Sequence, residues 1–108
     1  MRTVPLRELA TARSGDKGNH ANLGVVAKDA VAFAVLQTHL TAERVAAFFR
    51  GKHSALTKVT RYELPKVLAF NFLLEDILDG GASRSLHLDT QGKLLGTEAL
   101  DLPLELPE

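Results

Sequence analysis

Residues 10–28 read ATARSGDKGNHANLGVVAK, and the fold prediction starts from this stretch. In its middle, Arg13–His20 contains two glycines and no aliphatic side chain, which predicts a loop. Before the loop, Val4–Ala12 has a strand-like but impure alternation, and after it Asn22–Lys28 alternates more regularly. We therefore expect two strands that form a hairpin across the loop.

Two short helices are expected after this hairpin. Asp29 is a candidate N-cap for a helix that begins at Ala30, because its carboxylate can accept a hydrogen bond from the first turn. Thr41 is a second candidate N-cap, and Glu43 follows it in the first turn, where a carboxylate complements the helix dipole. Gly51 predicts the end of this second helix.

The next two elements are predicted from their residue types. Lys58–Leu64 is rich in β-branched and aromatic residues and predicts a strand, which Pro65 ends. Lys66–Leu78 reads KVLAFNFLLEDIL and is apolar on more than one side of a helical projection. It therefore predicts the most buried helix of the chain.

The C-terminal part is expected to form a second hairpin. Ser83–Asp89 alternates cleanly and predicts a strand, Asp89–Lys93 predicts the turn, and Leu94–Leu102 predicts the last strand. Pro103 and Pro107 then mark a tail, because a proline nitrogen cannot donate to a strand ladder.

The predicted element order is β-β-α-α-β-α-β-β, which indicates an α+β class. We expect one domain over residues 1–108, with its core at about 4–102 and a tail at 103–108. A mainly antiparallel sheet of about five strands would carry the helices on one face. The other face would be wet or would pair with a second subunit.

Composition excludes several classes of function. With 13 Lys and Arg against 13 Asp and Glu, no bulk charge attracts nucleic acid or an anionic membrane. The lack of cysteine excludes disulfides, thiolate metal sites and a cysteine nucleophile. Walker A, GxGxxG, GxSxG and histidine metal spacings are absent, so neither a cofactor nor a metal is expected. The N-terminus has no apolar targeting segment, so we expect a cytoplasmic protein, and zero net charge favours a homo-oligomer.

The candidate ligand site is the glycine-containing loop. Its glycines let successive N–H groups converge on an anion, with Lys17 adding positive charge and Asp16 ordering the turn or acting as a base. The full candidate set is Ser14, Gly15, Asp16, Lys17, Gly18, Asn19 and Asn22. The alternative is an Asx-type turn, in which Asp16 and Asn19 bond their own backbone.

Two further polar residues are candidates for the same site. Arg84 is expected near the edge of the core, where its guanidinium needs either a ligand anion or a carboxylate of the chain, such as Asp16. Asn71 interrupts an apolar run, and a buried amide needs hydrogen-bond partners. It either bonds the backbone of a neighbouring loop or lines a pocket shared with Ser14, Asp16 and Arg84.

ARSGDKGN at 12–19 with ANLGV at 21–25 resembles the signature at the C-terminal end of AtuA-type acyclic terpene utilisation proteins. RYELP at 61–65, AFNF at 69–72 and GGASRSL at 80–86 resemble further pieces of that family in order, so the resemblance spans nearly the whole chain. It implies a ferredoxin-like α+β fold. It also implies a setting in the bacterial breakdown of terpenoids as CoA thioesters.

Three functional hypotheses follow from the resemblance and the candidate site. Because the larger relatives carry a large N-terminal domain that this chain lacks, the first is an auxiliary subunit that meets a large AtuA-type partner in trans. Such a subunit would also bind an anion, an acyl-CoA or a carboxylate, at the loop. The second is a lyase or hydratase acting on an acyl-CoA, with Asp16 as base and Lys17 or Arg84 stabilising an oxyanion. The third is a structural assembly module with no small ligand.

Overall fold

The computed structural model describes residues 2–78 and 95–107. The described residues contain two α-helices, 3-10 turns at Leu6–Glu8 and Pro65–Val67, and a short helical stretch over 95–99. The α+β class and the ferredoxin-like sandwich are confirmed. The strands and long helices are β1 Arg2–Pro5, β2 Ala10–Lys17, β3 His20–Ala27, α1 Ala30–His39, α2 Ala42–Arg50, β4 Lys58–Leu64, β5 Ala69–Glu75 and β6 Pro103–Leu106.

Two antiparallel sheets organise the fold. The larger has the strand order β2-β3-β5-β4, and every neighbouring pair in it is antiparallel. The smaller pairs β1 with β6, with Val4 opposite Leu104. No helix within residues 2–78 and 95–107 is long and apolar enough to cross a membrane.

One face of the four-stranded sheet forms the core with the helices. Leu23 and Val25 of β3 and Phe72 of β5 point to this face and are at most 1% exposed. Phe33 of α1 stacks on Phe70 of β5, with ring centroids 4.8 Å apart. Since burying one such side chain contributes about 1.5–3 kcal/mol, this helix-covered face stabilises the domain.

The predicted loop over Arg13–His20 is wrong, because this segment is a tight β-hairpin. Strand β2 continues to Lys17, and β3 begins at His20, so only Gly18 and Asn19 lie in the turn. Gly18 has a φ of 65°, and positive φ at the first central residue is the pattern of a type II′ turn. Such a turn matches the twist of the strands, so the ladder continues into a segment that has no apolar alternation. The predicted pairing of the flanking strands is confirmed for Ala10–Ala12, whereas Val4 and Pro5 belong to β1, which pairs with β6, and the 3-10 turn Leu6–Glu8 separates the two parts.

The helix predicted over Lys66–Leu78 is also wrong. After the 3-10 turn, Leu68 adopts a left-handed φ of 55°, and the chain then enters strand β5. Phe70 and Phe72 point into the core, whereas Asn71 between them points away, as period-two alternation requires. The segment has apolar residues on both faces because β5 is a central strand.

The prediction of a strand and a tail for the C-terminal part is wrong over the residues that the structure describes. Residues 95–99 are helical, not part of a strand over Leu94–Leu102. The predicted tail begins with strand β6, because Leu104 and Leu106 alternate inward and pair beside β1, where an edge position tolerates Pro103. The predicted Ser83–Asp89 strand and the turn after it lie outside the described residues.

The predicted caps and strand β4 are confirmed. The Asp29 carboxylate accepts a hydrogen bond from the Ala32 N–H at 2.8 Å, and the Thr41 hydroxyl accepts one from the Arg44 N–H at 3.0 Å. Helix α2 ends at Gly51. These signals are local in the sequence, so tertiary packing does not override them.

Arg61 ties β4 to the end of α1. Its Nη1 donates to the carbonyl oxygens of Gln37 and Leu40 at 3.1 and 2.9 Å, while its Nη2 donates to Glu63 Oε2 at 2.9 Å. Its guanidinium also lies 5.3 Å from the centroid of the Phe70 ring. A cation at the C-terminal end of a helix complements the helix dipole, so Arg61 holds α1 on the sheet.

Replacing this arginine is expected to destabilise the domain. Arg61→Ala removes charged hydrogen bonds to helix-end carbonyls and lowers the free energy of unfolding by about 1–3 kcal/mol. The control, Arg13→Ala, removes an exposed arginine without a described partner and changes it by less than about 0.5 kcal/mol. Denaturant unfolding measures both, and equal losses would contradict the account.

Gly96 lies against the backbone of β2. A Cβ atom at this position would lie 3.1 Å from both Arg13 Cα and Ser14 N. Gly24→Ala is a matched control, because a Cβ there meets nothing closer than the Arg13 carbonyl oxygen at 3.8 Å. We expect Gly96→Ala to lower the free energy of unfolding by about 1–3 kcal/mol through overpacking, with little loss for Gly24→Ala. Full stability of the Gly96 variant would refute this close packing.

Candidate functional site

The β2–β3 register divides the predicted site between two faces of the sheet. Ser14 pairs with buried Leu23, so it lies on the helix-covered face, and Asp16 follows on the same side. Gly15 pairs with Asn22 on the opposite face. We call this second side of the four-stranded sheet the open face.

Ser14 has a structural role on the helix-covered side. Its hydroxyl accepts a hydrogen bond from the Gly96 N–H at 2.7 Å. Because Gly96 is the second residue of the helical stretch 95–99, this contact satisfies a backbone donor in the first turn. Ser14 therefore anchors the C-terminal part of the chain to β2.

A polar row crosses the open face. Asn71 lies opposite Tyr62 of β4 and opposite Gly24 of β3, and Gly24 lies in turn opposite Arg13 of β2. Residues directly opposite each other in antiparallel strands share a face and have Cβ atoms about 4.5–5.5 Å apart. Since Gly24 has no side chain, the row has a gap between the Asn71 amide and Arg13.

The two open-face amides have no partner among the described residues. Asn22 and Asn71 are partly buried, and neither side chain hydrogen-bonds any residue of the described chain. The hydrogen bond predicted between Asn71 and a loop backbone is therefore absent from that part of the chain. Each amide has two N–H donors and a carbonyl acceptor available for a partner.

His20 belongs to the same face at its hairpin end. Its Nδ1 accepts a hydrogen bond from the Asp76 N–H at 2.9 Å, so Nε2 carries the proton in the neutral ring. The Asp76 carboxylate accepts a bond from the Thr57 hydroxyl at 2.7 Å, which fixes this corner. His20 thus presents an N–H donor, and not a lone pair, to its surroundings.

The other end of the open face is apolar. Val26 and Leu64 lie on either side of Ala69 in one row, and they are 48% and 47% exposed. Tyr62 in the next row is 51% exposed. The adjoining 3-10 turn exposes Val67 beside a cavity of about 340 Å³ lined by residues 63–67. Exposed apolar groups gathered in one place are typical of interaction surfaces.

The predicted site residues thus do not form one pocket. Gly15, Asn22 and Asn71 share the open face, whereas Ser14 and Asp16 lie on the other side. The remaining candidates lie at the turn or outside the described residues. Gly18 and Asn19 form the turn, for Lys17 only the backbone is described, and Arg84 lies outside the described residues.

Arg13 and Tyr62 complete the polar row, and the sequence does not identify either of them as a site residue. Their proximity to Asn71 depends on strand register, which no local motif reveals. Within residues 2–78 and 95–107 no group of three or more His, Asp or Glu side chains is arranged to hold a metal ion. The open face offers amide groups for hydrogen bonds and exposed apolar side chains for packing.

The division between the faces predicts two different mutant phenotypes. Ser14→Ala removes the acceptor for the Gly96 N–H and lowers the free energy of unfolding by about 0.5–2 kcal/mol. Asn71→Ser shortens a side chain without a described partner and changes stability by less than about 0.5 kcal/mol. Denaturant unfolding compares them, and the reverse order would show that the faces are assigned incorrectly.

Comparison with known proteins agrees with this architecture. A family model described as the AtuA ferredoxin-like domain matches residues 4–105. No curated protein and no solved structure shows significant similarity to the chain. Since the match covers nearly every residue, including all six strands except the ends of β1 and β6, the chain belongs to the AtuA ferredoxin-like domain family.

Proposed function

We propose that the chain is a small auxiliary binding module of an AtuA-type system, and that its open face docks a large AtuA-type protein in trans. The observation that carries this proposal is the pair of amides, Asn22 and Asn71, which have no partner in residues 2–78 and 95–107 and lie next to exposed apolar side chains. Partly buried amides without internal partners gain hydrogen bonds when a protein covers them. Family membership supports the link to an AtuA system.

The size of the open face bears on how the partner binds. Four strands spaced about 4.8 Å apart and seven residues long present a flat area of about 19 by 23 Å. Stable complexes bury about 800 Å² on each partner, roughly twice this flat area. A partner therefore also has to cover the adjoining 3-10 turn with Val67, which is 63% exposed.

The proposal includes an anionic small molecule, an acyl-CoA or a carboxylate, at the hairpin end of the open face. Gly15 and Gly24 leave a floor without side chains, Asn22 and Asn71 offer amide donors, and Arg13 is an exposed cation. The proposed ligand set still includes Lys17, Gly18, Asn19 and Arg84 as its charged and turn positions, with Ser14 and Asp16 supporting it from the other side. The proposed setting is terpenoid and acyl-CoA catabolism in the cytoplasm.

No specific observation favours the lyase or hydratase hypothesis. It requires Asp16 to act as a base beside the groups that hold the substrate. The register puts Asp16 on the helix-covered side and Asn71 on the open face. A binding role needs no such convergence, so it is the function that the geometry supports best.

Binding to a large AtuA-type protein tests the proposal. Isothermal titration of the chain with that protein is expected to give a complex, and Leu64→Ser is expected to weaken it by about tenfold, or about 1.4 kcal/mol. The matched control is Val31→Ser on α1, which removes a valine that is 75% exposed on the opposite side of the domain. This control should leave the affinity unchanged.

Two results would contradict the proposal. One is the absence of a complex, and the other is equal weakening by the Leu64 and Val31 variants. Titration with an acyl-CoA alone tests the small-molecule part separately, and Arg13→Ala should abolish its heat of binding. The homo-oligomer expected from the sequence stays a prediction, and light scattering on the chain alone measures it.

A further inference from the structure

A groove runs between helix α2 and strand β4, away from the open face. Two adjoining cavities of about 260 and 430 Å³ form it. We call it the α2–β4 groove. Its walls are Ala42, Glu43, Ala46, Ala47 and Arg50 of α2 and Lys58, Val59, Thr60 and Arg61 of β4.

Contacts at both ends of the groove hold its walls in place. At one end Arg50 Nη2 donates to the Thr57 carbonyl oxygen at 3.0 Å, which joins the end of α2 to the start of β4. At the other end Arg61 bonds the Leu40 carbonyl oxygen at 2.9 Å, just before α2 begins. The groove is therefore formed before any partner arrives, which lowers the entropic cost of binding.

The alternation of backbone hydrogen bonds across the sheet identifies which N–H and C=O groups of β4 point away from β5. The Ala27 N–H donates to the Leu68 carbonyl oxygen, so alternate residues of β5 from position 68 face β3. The backbone N–H and C=O groups of Asn71 therefore point towards β4, where Asn71 pairs with Tyr62. By the same alternation, the N–H and C=O groups of Val59, Arg61 and Glu63 point to the free edge.

Among the described residues, nothing pairs with this edge. Strand β4 is the last in the order β2-β3-β5-β4, and no residue within 2–78 or 95–107 hydrogen-bonds the outward backbone groups of Val59, Arg61 or Glu63. The other edge differs, because Gly96 lies against the backbone of β2 at Ser14. An uncovered edge beside a helix is the geometry in which extended peptides add a strand to a sheet.

Charge on the groove favours an acidic occupant. Lys58 is exposed and has no ion-pair partner within the described residues, and Arg50 adds a second exposed cation at the same end. Glu43 is the only acid among the lining residues that the structure describes. In an antiparallel pair of β4 strands centred on Arg61, each Lys58 would lie opposite Leu64 and would meet no carboxylate there, whereas an acidic peptide offers one.

We propose that the α2–β4 groove binds an extended acidic peptide, which adds a fifth strand to the sheet along β4. From Val59 to Glu63 the edge is about 13 Å long, enough for five extended residues. Main-chain hydrogen bonds to β4 supply the affinity. Alternate side chains of the peptide enter the groove, and those between them lie on the same side as Tyr62, where an acidic side chain meets Lys58.

A titration followed by NMR tests this site. The probe is a five-residue peptide of alternating valine and glutamate with acetylated and amidated ends. We expect Kd below about 1 mM, with amide shifts in Val59–Glu63 and α2 and at least about tenfold slower exchange of the outward amides. The same peptide with methylated nitrogens on its β4-facing side lacks those donors and should bind at least about tenfold more weakly.

A matched pair of variants separates the groove from the rest of the surface. Ala47→Glu puts a negative charge on the groove rim and should weaken peptide binding about five- to tenfold. Ala34→Glu makes the same change at an exposed position on α1 and should have no effect. No binding up to about 1 mM, equal binding of the methylated peptide, shifts centred on Asn22 and Asn71, or association of the chain with itself at β4 would each overturn the proposal.

Discussion

The register of the β2–β3 hairpin is the constraint on which the rest of the structure depends. The two-residue turn with Gly18 at a φ of 65° aligns Ser14 with Leu23 and Gly15 with Asn22. A slip of one residue would exchange every side chain of β2 between the core and the open face. Ser14 would then lose its hydrogen bond with the Gly96 N–H, which joins the C-terminal part of the chain to β2.

This single sheet offers three surfaces with different chemistry. The helix-covered face is apolar and includes Phe70 and Phe72, which are at most 1% exposed. The open face combines unpartnered amides with exposed Leu64, and the free edge of β4 offers backbone groups beside Lys58. A small domain with these surfaces can contact more than one partner, which is what the proposed role as an auxiliary subunit requires.

Local signals in the sequence were sufficient for part of the fold. The caps at Asp29 and Thr41 and the strand Lys58–Leu64 depend on neighbouring residues, so they were predicted correctly. At strand β5 the sequence predicts a helix, because a central strand with apolar residues on both faces resembles a buried helix. Asn71 between two phenylalanines was the available period-two signal.

The candidate site was harder to predict, since it depends on register. The Arg13–Lys17 segment has no apolar alternation, so nothing in it reveals that its side chains alternate between two faces. The Gly18-Asn19 pair was the signal for a tight turn. An NOE spectrum of the chain tests the register directly, because Hα protons in non-hydrogen-bonded antiparallel pairs lie close together. The account predicts Hα–Hα contacts of Ser14 with Leu23 and of Asp16 with Ala21, whereas contacts of Ser14 with Asn22 or Gly24 would contradict it.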